Sequence, residues 1–326
     1  MMRLHPGLTG MLMTLVLLCL AVPLSAATIT EYRPTTVACR LDNGAKQLAI
    51  RSFRKEGVPY YLLVDLNSLA TRTAPASSVR PITEAGPPSF SDILAKNTAP
   101  PYKLQNFGLT HAMTNPSGMF LTVDLCPSKR PFEKGAFEAL AAIASKSGRP
   151  TPVAICITGA WLRTHREELS WLQAREQQGL LAITWVNHSL THFYDPTLPL
   201  ERNFMLAAKT DQRHEILANE VAMLEAGLVP APFFRFPGLV ADERLVKLLA
   251  ELSLIPLGAD AWLAKGEEPR NGSIILVHGN GNEPPGITRL MKLLQSPDFP
   301  AFLPLAAATT ASRNNLLDKP ATAGQR

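Results

Sequence analysis

The sequence predicts an α/β protein whose larger part is a parallel β/α domain, and three observations support this fold class. Short apolar runs alternate with amphipathic helical segments from residue 119 onward. Strands that alternate with helices are typical of a parallel sheet, closed into a barrel or doubly wound. Polar side chains follow the ends of several runs, the edge at which parallel sheets collect their functional residues. The chain of 326 residues is also long enough for one large domain and a smaller one.

The elements of the predicted parallel domain follow in chain order. Apolar runs mark the strands, and periodic segments with a polar face mark the helices between them. The predicted strands are 119–125, 153–157, 181–186, 233–236, 254–257 and 274–277. The predicted helices are 134–147, 166–178, 211–226 and 242–253.

The chain begins with a predicted signal peptide, residues 1–27. Arg3 and His5 precede an apolar run over 11–22, and small residues lead to a cleavage position before Thr28. This run is shorter than the roughly 20 apolar residues that span a bilayer, so we expect cleavage and no stable membrane insertion afterwards. We therefore expect a periplasmic or secreted protein.

Three further regions are predicted after the signal peptide. Residues 28–117 form a small β-containing lead-in with short strands at 46–50 and 60–64. The stretch 71–101 is rich in Pro, Ser, Thr and Ala, which predicts loop with one short helix near 91–96. Residues 118–305 form the β/α domain, and the polar, aperiodic segment 306–326 is expected to be a disordered tail.

Charge and cysteine content limit the possible functions. The net charge is +5, and no cluster of Lys and Arg with interleaved aromatic residues is present, so we expect no nucleic-acid partner. Three cysteines remain after the predicted cleavage: Cys39, Cys126 and Cys156. Export permits one disulfide among them, and the sequence leaves the pairing open.

Two histidines after the third predicted strand could bind a metal ion. His188 and His192 are four residues apart, and on a helical turn this spacing places both imidazoles on one side. With seven histidines in the chain, such a pair also arises by chance. The position of the pair directly after a strand favours the metal-binding interpretation.

Three other strand ends carry side chains suited to hydrolysis. Asp124 could act as a general base on water, and the guanidinium of Arg235 could keep its carboxylate ionised. His278 could protonate a departing amine. The competing interpretations are a helix-capping acid, a surface cation and an ordinary loop histidine.

Five ordered segments then suggest a family. They are Thr122-Val123-Asp124, the run NHSLTH over 187–192, Arg235-Phe236-Pro237-Gly238, Asp260-Ala261-Trp262 and Leu276-Val277-His278. In order and approximate spacing they resemble the motifs of the polysaccharide deacetylases, the NodB-homology proteins of carbohydrate esterase family 4. The resemblance covers about residues 119–305. Any one of these segments is weak as a signal, and the five in order are strong.

The resemblance implies a distorted (β/α) barrel and removal of N-acetyl groups from an N-acetylglucosamine-containing polysaccharide or oligosaccharide. It also implies a divalent metal, usually zinc, on His188 and His192. By position, Asp124 matches the catalytic base, Arg235 its partner and His278 the catalytic acid. Trp262 and Leu276 match the pocket around the acetyl methyl, and Asp260 matches the acid that tunes the catalytic histidine.

One position departs from the family pattern. Leu125 stands where the family usually has a second aspartate, the third metal ligand. Asp124, Asp195 or Cys126 could replace that ligand, the last because alternate residues of a strand face one side. If a ligand was merely lost, Leu125→Asp should tighten zinc binding. Two other functions also remain open: a catalytically impaired carbohydrate-binding relative, and an amide hydrolase acting on a non-sugar substrate.

Overall fold

The computed structural model describes residues 27–42, 44–82, 89–297 and 299–309. The predicted signal peptide therefore lies outside the described residues except for residue 27, and so does most of the predicted tail. Residues 306–309 of that tail are described, and they are not disordered. A short 3-10 helix spans Leu305–Ala308, and the side chains of Leu305, Ala308 and Thr309 are buried.

The first unit is an antiparallel sheet of five strands, in the order β4-β3-β2-β1-β5. Its strands are β1 (Ile29–Leu41), β2 (Lys46–Lys55), β3 (Val58–Asp65), β4 (Thr71–Pro75) and β5 (Val79–Pro81). The two strands predicted from sequence correspond to β2 and β3. The expectation of loop over 71–101 is wrong for β4 and β5, while the predicted short helix is present as α1 (Ser89–Thr98).

The second unit is a sheet of seven parallel strands, in the order β10-β9-β8-β7-β6-β12-β11. The predicted α/β class and the parallel arrangement are confirmed. The strands are β6 (Phe120–Leu125), β7 (Thr151–Ile157), β8 (Leu181–Asn187), β9 (Phe233–Arg235), β10 (Ile255–Leu257), β11 (Ala261–Trp262) and β12 (Ile274–His278). The helices are α2 (Lys134–Ser147), α3 (Gly159–Thr164), α4 (Arg166–Gln177), α5 (Gln212–Glu225), α6 (Glu243–Glu251) and α7 (Pro284–Leu294).

The link between β10 and β11 shows that this sheet is curled. β10 and β11 are its two edge strands, yet only residues 258–260 separate them in the chain. Four residue steps span at most about 14 Å. Seven strands laid flat would place the edges about 29 Å apart at the usual strand spacing. The sheet must therefore be curled, in agreement with the distorted barrel that the family resemblance implies, and the strand ends converge.

The lead-in predicted over 28–117 does not form a single unit. Residues 89–113 pack on the parallel sheet: α1 contacts α6 and β10, and Leu109 forms a bridge with Leu257. The antiparallel sheet is attached by a buried ion pair. Arg51 of β2 donates from Nε and Nη2 to Glu220 of α5, at 2.7 and 2.9 Å, and Tyr32 donates to the same carboxylate. Within the described residues, no helix is long and apolar enough to cross a membrane.

Candidate active site

The alternation of side chains along β6 places the candidate catalytic residue and the packing residues on opposite faces of the strand. Leu121, Val123 and Leu125 belong to one apolar cluster, together with Phe137 of α2. Side chains of successive strand residues point to opposite faces. Thr122 and Asp124 therefore face the interior of the curled sheet, and Cys126, directly after the strand, points to the same side.

This alternation explains the departure at Leu125. Its side chain is fully buried in the apolar layer between the sheet and the helices, on the face opposite to Asp124. A carboxylate introduced there would enter a hydrocarbon layer rather than a ligand position. The expectation that Leu125→Asp restores a metal ligand is therefore wrong for this backbone.

The two histidines predicted to bind metal lie close together, but not on a helical turn. Residues 188–192 form an irregular loop in which Ser189 and His192 have φ of 71° and 51°. The centroids of the two imidazole rings are 4.9 Å apart. The predicted proximity is confirmed, and the helical explanation for it is wrong.

Glu215 of α5 holds this loop in place. Its carboxylate accepts hydrogen bonds from the backbone N–H groups of Leu190 and Thr191, at 3.0 and 2.9 Å, and from the Thr191 hydroxyl at 2.7 Å. Glu215 is buried, and so is Asn187, whose side chain accepts from the Ser189 N–H. The loop that carries both histidines is thus fixed by side chains that themselves belong to the core.

The orientation of His188 is set by a backbone carbonyl. Nδ1 of His188 lies 2.8 Å from the carbonyl oxygen of Arg235. Because a carbonyl only accepts, Nδ1 donates the proton in this contact, and Nε2 is the nitrogen that faces the neighbouring side chains. Nε2 lies 3.4 Å from Sγ of Cys126 and 3.7 Å from Oδ2 of Asp124. Metal-binding histidines commonly have such a backbone partner.

Cys126, His188 and His192 form a cluster suited to a metal ion. Each offers one ligand atom, and these atoms all lie within 4.8 Å of one another. A sulfur and an imidazole nitrogen bound to one tetrahedral zinc are about 3.6 Å apart, from the usual bond lengths. The observed separation between Cys126 and His188 is 3.4 Å. One thiolate and two imidazoles leave a fourth position open, as catalytic zinc sites require.

The surroundings of Cys126 favour its thiolate form. Burial acts to raise the pKa of the Cys126 thiol, but the imidazoles of His192, His188 and His278 outweigh it and hold that pKa well below its usual range. The Asn280 side chain also donates to the Cys126 carbonyl at 2.8 Å, which fixes the backbone. Since a thiolate is the form that binds metal, the sulfur is prepared for ligation.

Asp124 lies beside the cluster with Arg235 next to it. Nη1 of Arg235 is 3.5 Å from Oδ1 of Asp124, and both side chains are almost fully buried. Burial acts to raise the pKa of Asp124, but Arg235, His188 and His278 outweigh it and hold the pKa below its usual range. Arg235 is itself held by Thr122, which accepts from Nη2 at 2.8 Å. Among the described residues, Oδ1 of Asp124 has no hydrogen-bond partner, so it is available as an acceptor.

His278 stands on the strand next to Asp124, and the two residues are paired in register. Burial acts to lower the pKa of His278, but Cys126, Glu283 and Asp124 outweigh it and raise the pKa well above the usual value. Nδ1 of His278 lies 2.8 Å from Oε2 of Glu283. The same oxygen accepts from Nε1 of Trp262 at 2.7 Å.

Asp260 does not have the partner expected from the sequence. Its Oδ2 lies 2.7 Å from Nδ1 of His111 and 3.3 Å from the Ser273 hydroxyl, and its Oδ1 accepts from the Ile274 N–H. A carboxylate engaged in these contacts ties the chain after β10 to the start of β12. The structure places Glu283, not Asp260, against the predicted catalytic histidine.

The positions of three remaining candidates, Leu276, Trp262 and Asp195, are as follows. Leu276 is buried and faces the interior of the curled sheet, while Trp262 is partly exposed with its ring centroid 6.2 Å from that of His278. Asp195 does not complete the metal cluster, since its carboxylate accepts from the Thr197 N–H and hydroxyl at 2.8 and 2.6 Å.

The three cysteines Cys39, Cys126 and Cys156 are free thiols in the described part of the chain.

The residues that support the site could not be predicted from the sequence. Glu283, Glu215 and Asn280 lie in a loop, a helix and a turn, at no spacing that is specific to an active site. Each could be recognised only after the fold had placed it beside His278, the histidine loop or Cys126. Cys126 itself was detectable, because it lies two residues after Asp124 along an extended chain.

Comparison with known proteins gives two separate similarities. Residues 30–85, which contain most of the antiparallel sheet, match the family model described as the RP012 protein N-terminal domain. Solved structures similar to this chain include a family 4 carbohydrate esterase from Bacillus anthracis, at 20% identity and a TM-score of 0.41, covering 65% of this chain and 86% of that one. The chitin deacetylase of Colletotrichum lindemuthianum is similar at 13% identity and a TM-score of 0.41, covering 63% and 92%.

A third similar structure is a family 4 pseudoenzyme from Bacillus anthracis, at 12% identity and a TM-score of 0.40, covering 79% of this chain and 85% of that one. Two of these three descriptions name carbohydrate esterase family 4, and the other names a chitin deacetylase.

Proposed function

We propose that this protein is a metal-dependent deacetylase that hydrolyses the acetamide groups of an N-acetylglucosamine-containing polysaccharide or oligosaccharide. One observation carries the proposal. A carboxylate, Asp124, and an imidazole, His278, stand on neighbouring strands at the edge where Cys126, His188 and His192 offer a metal three ligand atoms. The apolar run over 11–22 supports a periplasmic or secreted location.

The metal would be held by Cys126, His188 and His192. Zinc suits this donor set, because thiolate and imidazole are its usual protein ligands. Zinc supplies Lewis acidity, which polarises an amide carbonyl and makes water nucleophilic at neutral pH.

Asp124 and His278 divide the proton transfers of amide hydrolysis. Asp124, ionised and with Oδ1 available, takes the proton from the water that attacks the acetyl carbon. His278, charged before the reaction, gives a proton to the amine nitrogen as the C–N bond breaks. Acetate and the free amino sugar leave. Arg235 keeps the Asp124 carboxylate in place and ionised.

The acetyl methyl requires an apolar contact beside these groups. Trp262 stands next to His278, and Leu276 lies on the interior face of the same strand as His278, two positions before it. Both side chains suit the wall of a small acyl pocket. A short acyl group is therefore the expected substrate, rather than a long one.

A carbohydrate-binding relative without activity is the alternative, and the carboxylate lost at Leu125 motivates it. The position of Cys126 argues against this alternative, because a ligand atom is present beside both imidazoles. An amide hydrolase acting on a non-sugar substrate would use the same groups.

The test uses the purified full chain loaded with zinc. We expect stoichiometric zinc by elemental analysis and release of acetate from N-acetylglucosamine oligomers. His188→Ala and His192→Ala should both lose the metal and the activity, with Asp195→Asn as a matched control that changes neither. Zinc binding without acetate release would support the carbohydrate-binding alternative. Acetate release from simple non-sugar amides alone would support the other hydrolase.

A further inference from the structure

A single carboxylate oxygen joins two residues of the proposed active site. Oε2 of Glu283 accepts from Nδ1 of His278 at 2.8 Å and from Nε1 of Trp262 at 2.7 Å. Glu283 precedes α7 directly, and its side chain does not cap that helix. Its carboxylate is therefore committed to the active site rather than to the helix end.

The contact with Glu283 determines which nitrogen of His278 faces the reaction. The two ring nitrogens of an imidazole point in different directions, and Nδ1 is held by Glu283. Nε2 is therefore the nitrogen left for the reaction, and Asp124 is the register partner of His278 on the neighbouring strand. Asp260 is the acid that the family resemblance placed beside the catalytic histidine. Its carboxylate instead contacts His111 and Ser273.

We propose that Glu283 is a positioning residue that aligns the proton-donating histidine, His278, with the acyl-pocket wall formed by Trp262. This inference rests on the proposed deacetylase function. Because both hydrogen bonds end on the same oxygen, the imidazole of His278 and the indole of Trp262 are held in fixed positions relative to each other. Residues that orient a catalytic or metal-binding imidazole typically affect function by about 10–100-fold.

The reaction step gives this role a specific signature. As the C–N bond breaks, the proton on Nε2 of His278 passes to the amine nitrogen, while the other proton remains on Nδ1, in its hydrogen bond to Glu283. An amine must receive that proton to leave, whereas the phenolate released from an aryl acetate leaves without it. Misalignment of His278 should therefore slow amide hydrolysis much more than aryl ester hydrolysis.

The experiment compares both substrates in the zinc-loaded full chain. For Glu283→Ala we expect kcat on N-acetylglucosamine oligomers to fall by about 10–100-fold, as for other orienting partners, with a smaller change in KM. Hydrolysis of 4-nitrophenyl acetate should change by only about threefold or less, since its leaving group needs no acid. Glu283→Gln keeps an acceptor oxygen and should recover part of the amide activity.

Glu267→Gln is the matched control. The Glu267 carboxylate accepts from the backbone N–H of Trp262 at 2.6 Å, and no contact with His278 accompanies it in the described structure. This variant should leave the ratio of amide to ester activity unchanged. Equal losses on both substrates in Glu283→Ala, with zinc retained, would reduce Glu283 to a structural role, and unchanged activity on both would overturn the proposal.

A second readout does not depend on turnover. In nitrogen NMR spectra, the wild-type chain should show a slowly exchanging proton on Nδ1 of His278, which Glu283→Ala should lose. The same signal in both proteins would overturn the positioning role. If the wild type hydrolysed neither substrate but showed this signal, the proposed function would fail while the alignment by Glu283 would stand.

Discussion

Sγ of Cys126 and Nε2 of His188 face each other at 3.4 Å, in the core of the proposed metal site. The sulfur belongs to the residue two positions after Asp124, not to the neighbouring position where the family that the motifs resemble usually has a carboxylate. Strand alternation explains this shift, because only every second residue faces the interior of the curled sheet. In the proposed site the third ligand would be a thiolate, which would favour zinc over harder cations such as magnesium.

We predict that Cys126→Ala loses most of its zinc affinity. Even the loss of an orienting neighbour lowers metal affinity by about 10–100-fold, so the loss of a ligand should cost at least about 100-fold. The cobalt-substituted wild type should also show near-ultraviolet absorption from thiolate-to-cobalt charge transfer, which Cys126→Ala should lack.

The matched control is Cys156→Ala, which removes another buried thiol from the neighbouring strand. It should keep both the zinc affinity and the charge-transfer band. Stoichiometric zinc in Cys126→Ala, together with an unchanged cobalt spectrum, would remove the sulfur from the site.

Leu125→Asp should destabilise the protein without tightening zinc. Leu125 packs fully buried beside Phe137. Loss of a buried leucine side chain costs about 3–5 kcal/mol before the burial of an unpaired carboxylate is added. Urea unfolding and zinc competition with a chromogenic chelator measure the two effects. Leu125→Met, which conserves volume, should cost less than about 1.5 kcal/mol. Tighter zinc with an unchanged unfolding midpoint would contradict the packing that the structure shows.

Asp124→Asn should abolish deacetylation while zinc remains bound. The amide cannot take a proton from water at neutral pH, and loss of a general base typically lowers the rate by about 10²–10⁴-fold. Acetate release at saturating substrate is the measurement, with circular dichroism as the check on folding. A rate within about tenfold of wild type would exclude Asp124 as the base, given the usual size of this effect.

The ion pair between Arg51 and Glu220 should link the stability of the two sheets. Both side chains are almost fully buried, so Arg51→Met leaves a buried carboxylate without its partner. Removal of one member of a buried pair typically costs about 3–5 kcal/mol. The double variant Arg51→Met, Glu220→Gln should cost less than Arg51→Met alone, because no charge remains buried. Equal losses in the single and double variants would argue that the pair does not couple the two sheets.

The sequence allowed the parallel domain to be predicted almost strand by strand. Its strands are short, buried and separated by amphipathic helices, so local pattern and tertiary role agree. The antiparallel sheet was harder to predict. In β1, register shifts between Thr30 and Arg33 and between Pro34 and Val37 interrupt the two-residue alternation on which strand prediction depends. The sequence pattern of a strand with such irregularities does not predict a strand.

The residues of the proposed site likewise divide into those that the sequence pattern predicts and those that it does not. Asp124, Arg235 and His278 were predictable because they end strands of a regular sheet. The contact between Glu283 and His278 was not, because a loop of four residues brings the carboxylate back, and loop geometry has no pattern in the sequence. The same limit applies to Asp260, whose distance from His278 depends on how the edges of the sheet meet.

The hydrogen bonds from the histidine loop to Glu215 have an energetic consequence for metal uptake. Left-handed backbone at residues such as Ser189 and His192 costs on the order of 1–3 kcal/mol each, and three hydrogen bonds to one carboxylate help to offset it. Since this ordering cost is met by the fold itself, a cation entering the site need not organise its own ligands. Treatment with a chelator should then return a folded apoprotein that recaptures zinc rapidly and reversibly, unlike small zinc domains that unfold when stripped.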